Sequence, residues 1–257
     1  MIRSLFKKFV GFLAKSAIKK HQMTIYVVSG WFGTEITREF VYSSLSTKYD
    51  VRRNLTNPWW DMSYPLAILG YNDVRRNILE WLSLLFRVSM RLMFGKSHKH
   101  NIVLNINYSN PHSIKYWETF IYPNYLIITS YKKNYEFINK LIKGTIKNKG
   151  KIIYSRKDKE ILKNIFGNYQ KIYSFGKNDA KCNLLISETE SNTTFECMKE
   201  KISIKKMVLP GVSNEIIASS LLLGKIKNIN MSDSLYAIIK VGLPQRLLYQ
   251  LKADLNK

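Results

Sequence analysis

Seven consecutive residues, Ser29-Gly30-Trp31-Phe32-Gly33-Thr34-Glu35, carry types and a spacing that suggest phosphate chemistry. Before them, Thr24 to Val28 is a short apolar, β-branched run of the kind a buried parallel strand needs. After them, Ile36, Phe40, Val41 and Leu45 fall on one helical face, with Glu35, Arg38 and Glu39 around it. A strand, a glycine-bounded turn and a helix make a phosphate-binding loop, where backbone N–H groups and a helix N-terminus receive an anion. A working loop of this kind closes on Gly-Lys-Ser/Thr, whose lysine meets the phosphates and whose hydroxyl meets Mg²⁺. Gly30 and Gly33 keep a short version of that spacing, but Thr34 stands where the lysine belongs and Glu35 where the hydroxyl belongs.

The composition bounds what such a loop can serve. A chain of 257 residues, 46% of them hydrophobic, can bury a substantial core and is globular. Its net charge of +23 suits anionic partners such as nucleic acid, acidic lipid or phosphorylated ligands. The lysines are spread along the chain among abundant Asn, Ile and Tyr, so biased composition accounts for the charge equally well. Cys182 and Cys197 form neither a disulfide framework nor a zinc set, and free thiols in a reducing cytoplasm are expected. His98 and His100 have no carboxylate or cysteine pattern beside them, so no metal site is expected.

The elements that position the loop follow in order. In residues 1–20, Leu5, Phe6, Phe9, Phe12, Leu13 and Ala17 recur at helical spacing while Lys8, Lys15 and Lys19 point elsewhere. The lysines interrupt the apolar run too often for a membrane span. Two readings stay open: a basic helix on an anionic membrane face, with Leu5, Phe6, Lys8, Phe9, Phe12, Leu13 and Lys15 in contact, or a helix packed on its own domain or a partner. Lys48 to Arg53 suits a short strand, and Asn57-Pro58 with Trp59 and Trp60 a loop before a helix near Pro65. Asn77 to Phe94 reads as a helix with more than one apolar face, either deeply packed or a second interfacial contact. Strands at 101–107, 125–129, 151–154 and 171–174 alternate with helices at 112–120, 135–147 and 158–166, which implies a parallel sheet covered on both faces. Residues 183–208 suggest three antiparallel strands at the sheet edge. Gly211 opens a helix through Leu223, and Ser232 caps a last one through Lys240.

This order of elements resembles the central ATPase domain of the Mur ligases, most of all the branch that adds D-alanyl-D-alanine. Four local matches carry the resemblance. VVSGWFGTEITREFVYSSL, residues 27–45, parallels the family's I-T-G-S-N-G-K-T-T-T-K-E stretch. In residues 54–69, Asn57, Pro65, Leu66 and Leu69 fall into the N-x-N-N-E-x-G-x-P-L-x-x-L pattern, with Asp61 standing in for the glutamate. LPGVSNEIIASSLLLGKI, residues 209–226, follows the family's G-x-H-N stretch, with Ser213 at the histidine and Asn214 at the asparagine. LPQRLLYQLK, residues 243–252, is similar to the P-x-G-R join to the following domain. The resemblance implies a P-loop-like, three-layer α/β domain over 23–252, with a mainly parallel sheet and an antiparallel edge. Residues 1–22 form the amphipathic helix before it, and the family's flanking substrate-binding and ligase domains have no counterpart.

The family transfers the γ-phosphoryl group of ATP to a carboxylate, and an amine then attacks the acyl phosphate, with the loop lysine and metals stabilising charge. The resemblance places the candidate nucleotide site at Ser29, Gly30, Trp31, Phe32, Gly33, Thr34 and Glu35, with Asn57 and Asn214 beside it. It places Asn105 where a metal-binding glutamate belongs, and gives no counterpart near Thr129-Ser130-Tyr131 for the histidine-bearing loop. Tyr154-Ser155-Arg156 replaces an Asn-x-Asp pair. No catalytic residue and no metal ligand is therefore assigned. ATP and Mg²⁺ are implied only if the altered loop still binds them, with Lys132, Lys133 or Arg156 as substitute charges. The expectation is a non-catalytic, membrane-associated scaffold in the cytoplasm, on the inner membrane face, that binds an active Mur ligase or another cell-wall enzyme. The alternatives are a residual ATP-dependent amide-bond ligase and a basic protein that binds nucleic acid or anionic surfaces.

Overall fold

Burial is continuous along the central strands, because successive side chains pack on opposite, covered faces of a single sheet. In the computed structural model, which describes residues 2–55, 62–71, 77–96, 100–106, 111–131, 136–205 and 213–241, nine strands form that sheet. They are β1 (Thr24–Ser29), β2 (Val51–Arg53), β3 (Asn101–Asn105), β4 (Tyr125–Ile128), β5 (Lys151–Ser155), β6 (Ile172–Lys177), β7 (Leu184–Glu188), β8 (Asn192–Cys197) and β9 (Glu200–Lys205). Their order is β2-β3-β1-β4-β5-β6-β7-β8-β9. Every pairing from β2 to β7 is parallel, and β8 and β9 add an antiparallel edge. The mainly parallel α/β fold expected from the sequence is present. The three edge strands expected over 183–208 pair antiparallel with one another, and β7 joins them to the parallel sheet through β6, so β8 alone runs against the other strands.

Helices cover both faces. Ile25, Val27, Ile102, Leu104, Leu126, Ile128 and Ile152 face a layer built from α1 (Ile2–Lys20), α3 (Ser63–Leu69), α4 (Ile78–Phe94), α5 (Pro111–Trp117), α6 (Glu136–Lys147) and α7 (Lys159–Phe166). Tyr26, Val28, Val103, Ile127, Ile153 and Phe175 face α2 (Thr34–Ser46), α8 (Asn214–Ile226) and α9 (Met231–Ile239). Most boundaries fall within one or two residues of the sequence reading. Asn230, not Ser232, is the residue before α9, so that helix starts two residues early. Gly211, Trp59, Trp60 and the 243–252 match lie outside the described residues.

The first helix shares the domain's core. Val10, Leu13, Ala14 and Ala17 are buried against the sheet-facing cluster, and Phe6 meets Trp81 of α4 edge-on with ring centroids 5.0 Å apart. Leu13, at 5% exposure, is thus a core residue and cannot contact a membrane, and Phe6 is largely spent on α4. The helical period explains this: positions 10, 13, 14 and 17 make one stripe, and positions 5, 9 and 12 make a second stripe beside it. Leu5, Phe9 and Phe12 remain exposed, with Lys8 and Lys15 among them.

A buried charge network anchors α2 to the sheet edge. Arg38 Nη2 lies 2.7 Å from Glu39 Oε1, and Arg53 Nε of β2 lies 3.1 Å from Glu39 Oε2. The Arg53 guanidinium also lies over the Tyr42 ring, 3.8 Å from its centroid. Arg38 and Glu39 coincide with the Lys-Glu pair of the matched motif, so this part of the match has a structural role. Replacing Glu39 with alanine would leave Arg38 buried without its counter-charge. Urea unfolding of Glu39→Ala should show a loss of roughly 3 kcal/mol, whereas replacing the exposed Lys15 should leave the midpoint unchanged.

Candidate functional site

The glycine loop sits at the carboxyl ends of β1 and β4. After β1 the chain turns into α2 on one face, and after β4 it turns into α6 on the other. This divergence marks the point where open α/β sheets place their ligands. Backbone bonds hold the strand ends together: Ile106 N–H donates to Val28 O at 2.9 Å and Thr129 N–H to Ser29 O at 3.0 Å. The Ser29 side chain is buried and donates to Ile106 O at 2.7 Å, so it faces the sheet and not a ligand.

The loop is closed by its neighbours. Gly30 has φ +153° and packs so tightly on β4's end that a Cβ there would lie 2.9 Å from Ser130 N. Gly33 has φ +72°, and a Cβ would lie 2.6 Å from Ile216 Cδ1 of α8. Both glycines are therefore required by backbone conformation and close approach. The amides between them are already used. Trp31 N–H donates to Ser130 Oγ at 3.0 Å and to Ser130 O at 3.2 Å, and Phe32 N–H donates to Ser130 Oγ at 3.0 Å. Thr129 Oγ1 donates in turn to Phe32 O at 2.6 Å. The Ser130 hydroxyl occupies the acceptor position a phosphate oxygen would take in an open nest of amides. The Trp31 and Phe32 side chains point outward, 60% and 55% exposed.

The charges around the loop oppose a polyphosphate. Thr34 is buried and neutral, and Glu35 lies in the first turn of α2, where a carboxylate already complements the helix N-terminus. Asp158 accepts Tyr131 N–H at 3.0 Å; burial pushes its carboxyl above the usual range, the Tyr131 bond opposes this, and Glu215 adds to it. The nearby cations are engaged. Lys157 pairs with Glu215 at 2.5 Å, Lys177 with Glu188 at 2.7 Å and Arg156 with Asp179 at 2.8 Å. The Lys181 N–H, with Arg156 beside it, holds the Asp179 carboxyl below its ordinary value. Arg156 thus answers a carboxylate. Lys132 and Lys133 lie outside the described residues, as does Asn57.

Asn214 opens α8 and donates to Glu188 Oε1 at 2.7 Å and Thr193 Oγ1 at 3.2 Å, tying the helix start to the β7–β8 hairpin. It reaches the loop only through Ile216, which covers Gly33. Asn105 ends β3 next to β1, fully buried, with neither side-chain polar atom hydrogen-bonded. Its backbone N–H is received by Asn54 Oδ1 at 2.9 Å. A neutral amide supplies no charge to hold a divalent cation, and among the described residues no cluster of three His, Cys, Asp or Glu side chains converges. The described residues of the loop supply neither the lysine nor the metal-binding hydroxyl of a working phosphate loop.

No protein-family model and no curated protein sequence matches the chain. Solved structures do. MurF from Acinetobacter baumannii superposes with a TM-score of 0.66 at 13% identity, over 91% of this chain and 50% of that one. MurF from Thermotoga maritima, solved in complex with ADP, gives 0.59 at 18% identity, over 88% of this chain and 51% of that one. This chain has the Mur ligase fold. A bifunctional folylpolyglutamate synthase/dihydrofolate synthase from Yersinia pestis shares it at a TM-score of 0.55 and 11% identity, over 93% of this chain and 63% of that one. The chain spans about half the length of the Mur ligases it matches.

Sequence reading marked Ser130 only as part of a stretch without a counterpart of the histidine-bearing loop. This serine follows a strand without any motif of its own, and its role arises from the β1–β4 register. Ser130→Ala removes the shared acceptor of two N–H groups and should cost about 1 kcal/mol or slightly more. Amide hydrogen exchange at Trp31 and Phe32 should accelerate in that variant, while exchange in β1 stays slow.

Proposed function

We propose that this Mur-ligase-fold chain is a non-catalytic binding protein, held on an anionic membrane surface and linked to peptidoglycan precursor synthesis. The observation that carries the reading is the Ser130 hydroxyl in the amide nest, together with Thr34 and Glu35 where a lysine and a metal-binding hydroxyl belong. Phosphoryl transfer relies on positioned positive charge around the γ-phosphate. The described cations near this loop are paired with carboxylates.

The membrane half of the reading rests on α1 and α4. No described helix is long and apolar enough to cross a membrane. The two helices lie side by side in one layer, Phe6 against Trp81 near their starts and Lys20 Nζ donating to Leu92 O at 2.6 Å near their ends. Their outward stripes are apolar: Leu5, Phe9 and Phe12 on α1, and Leu79, Leu82, Phe86, Met90 and Met93 on α4. Lys8, Lys15, Lys19 and Arg87 lie among them. Apolar side chains set among basic ones suit the boundary of an anionic bilayer. The partner proposed for the surface-bound protein is an active Mur ligase or another cell-wall enzyme.

Two measurements test the halves separately. A nucleotide at about 100 times its dissociation constant would stabilise the fold by about 2.7 kcal/mol. Millimolar ATP with Mg²⁺ should therefore leave the melting temperature unchanged, and a Mg²⁺-dependent rise would contradict the non-catalytic reading. Vesicles rich in phosphatidylglycerol should sediment the protein at low salt, and neutral phosphatidylcholine vesicles should not. Replacing Phe9, Phe12, Phe86 and Met93 with serine should release it; sedimentation unchanged by those four substitutions would remove the membrane half.

A further inference from the structure

On the opposite side of α4 from its exposed stripe, a cavity of about 350 Å³ opens between the ends of α1, α3 and α4 and the sheet. Its floor is apolar, made by Ala17, Met23, Ile68, Leu69, Val88 and Leu92. Its remaining wall is basic: Arg52, Arg91, Lys96, His21 and His100. Among the described residues, no acidic side chain lines it. The carboxylate of Asp50, mostly exposed, lies 3.6 Å from His100 Nδ1.

Arg52 and Arg91 come from distant parts of the sequence and meet over Gly70. A Cβ at Gly70 would lie 2.8 Å from Arg52 Nη1 and 3.9 Å from Arg91 Nη1, so the two guanidinium tips share one small space. Salt bridges between described residues include neither arginine, nor Lys96. Like charges converging without a counter-charge repel, and an anion placed between them removes the repulsion. Paired guanidiniums are also the groups that bind phosphate or carboxylate in a bidentate way.

We propose that this cavity binds a soluble organic anion, a phosphate or carboxylate carried on a compact apolar body. The anionic group lies between Arg52 and Arg91 near Lys96, and the apolar body rests on Ile68, Leu69, Val88 and Leu92. The volume is at the small end for ligand pockets, which limits the body to a short chain or one ring. A bilayer lipid is the wrong source. Val88, Arg91 and Leu92 lie on the face of α4 opposite Leu79, Phe86 and Met93, so a membrane resting on the outer stripe is separated from the cavity by the helix itself. This site is separate from the glycine loop and does not depend on the function proposed above.

Isothermal titration of the full chain with hexyl phosphate, hexanoate and inorganic phosphate tests the assignment. At least one of the two alkyl anions should bind more tightly than inorganic phosphate. The Arg52→Gln/Arg91→Gln double variant should weaken that binding roughly tenfold or more. Its melting temperature should hold or rise, because two converging charges are removed. Lys96→Gln, at an exposed rim position, supplies a second variant and should weaken binding roughly threefold. Absence of heat with both alkyl anions at millimolar concentration would overturn the proposal. So would an affinity unchanged in both variants, or alkyl anions that bind no better than inorganic phosphate. Vesicles of phosphatidylglycerol should not compete with the bound alkyl anion, and competition would contradict the soluble source.

Discussion

A backbone N–H finds its acceptor in the protein, a ligand or water, and the loop after β1 has two such donors, Trp31 and Phe32, at the point where the sheet's helices diverge. In an open phosphate loop a ligand oxygen supplies that acceptor. Here β4 supplies it through the hydroxyl and carbonyl of Ser130. The rest of the local structure follows from that closure. Gly30 must lie flat on Ser130, Gly33 must admit Ile216 from α8, and Thr129 must turn back to bond the Phe32 carbonyl. Glu35 occupies the first turn of α2, where a carboxylate complements the helix N-terminus.

Several positions that match the Mur pattern carry packing contacts in this scaffold. Arg38 and Glu39 still serve, as a buried network that joins α2 to Arg53 on β2. Asn214 still opens α8, but its amide binds Glu188 and Thr193 in the antiparallel edge. Asn105 keeps the position at the end of β3 without the charge that a cation needs. Structural constraint and phosphate chemistry use different atoms of the same elements, so one can persist after the other has gone.

Much of this was legible in the residues. The β-branched runs at 24–28, 101–105 and 125–128 announced buried parallel strands, and the paired glycines announced the turn. What escaped depends on contacts between distant segments. Ser130 meets Trp31 across ninety-nine positions, and nothing near Ser130 in the chain marks it. Leu13 belongs to the apolar stripe of α1 by periodicity, yet which side of that helix meets the core depends on α3, α4 and α5. The basic cavity is hidden for the same reason: Arg52 and Arg91 belong to a strand and a helix whose spacing carries no motif.

The most direct test of the account is a nuclear magnetic resonance titration of the isotope-labelled chain with ATP and Mg²⁺, following the Trp31, Phe32 and Gly33 amide signals. If the Ser130 hydroxyl closes the nest, these three signals stay in place at millimolar nucleotide, whatever happens elsewhere on this basic protein. Movement of Trp31 and Phe32 that requires Mg²⁺ and saturates would mean that the loop opens for phosphate, and would contradict the central claim.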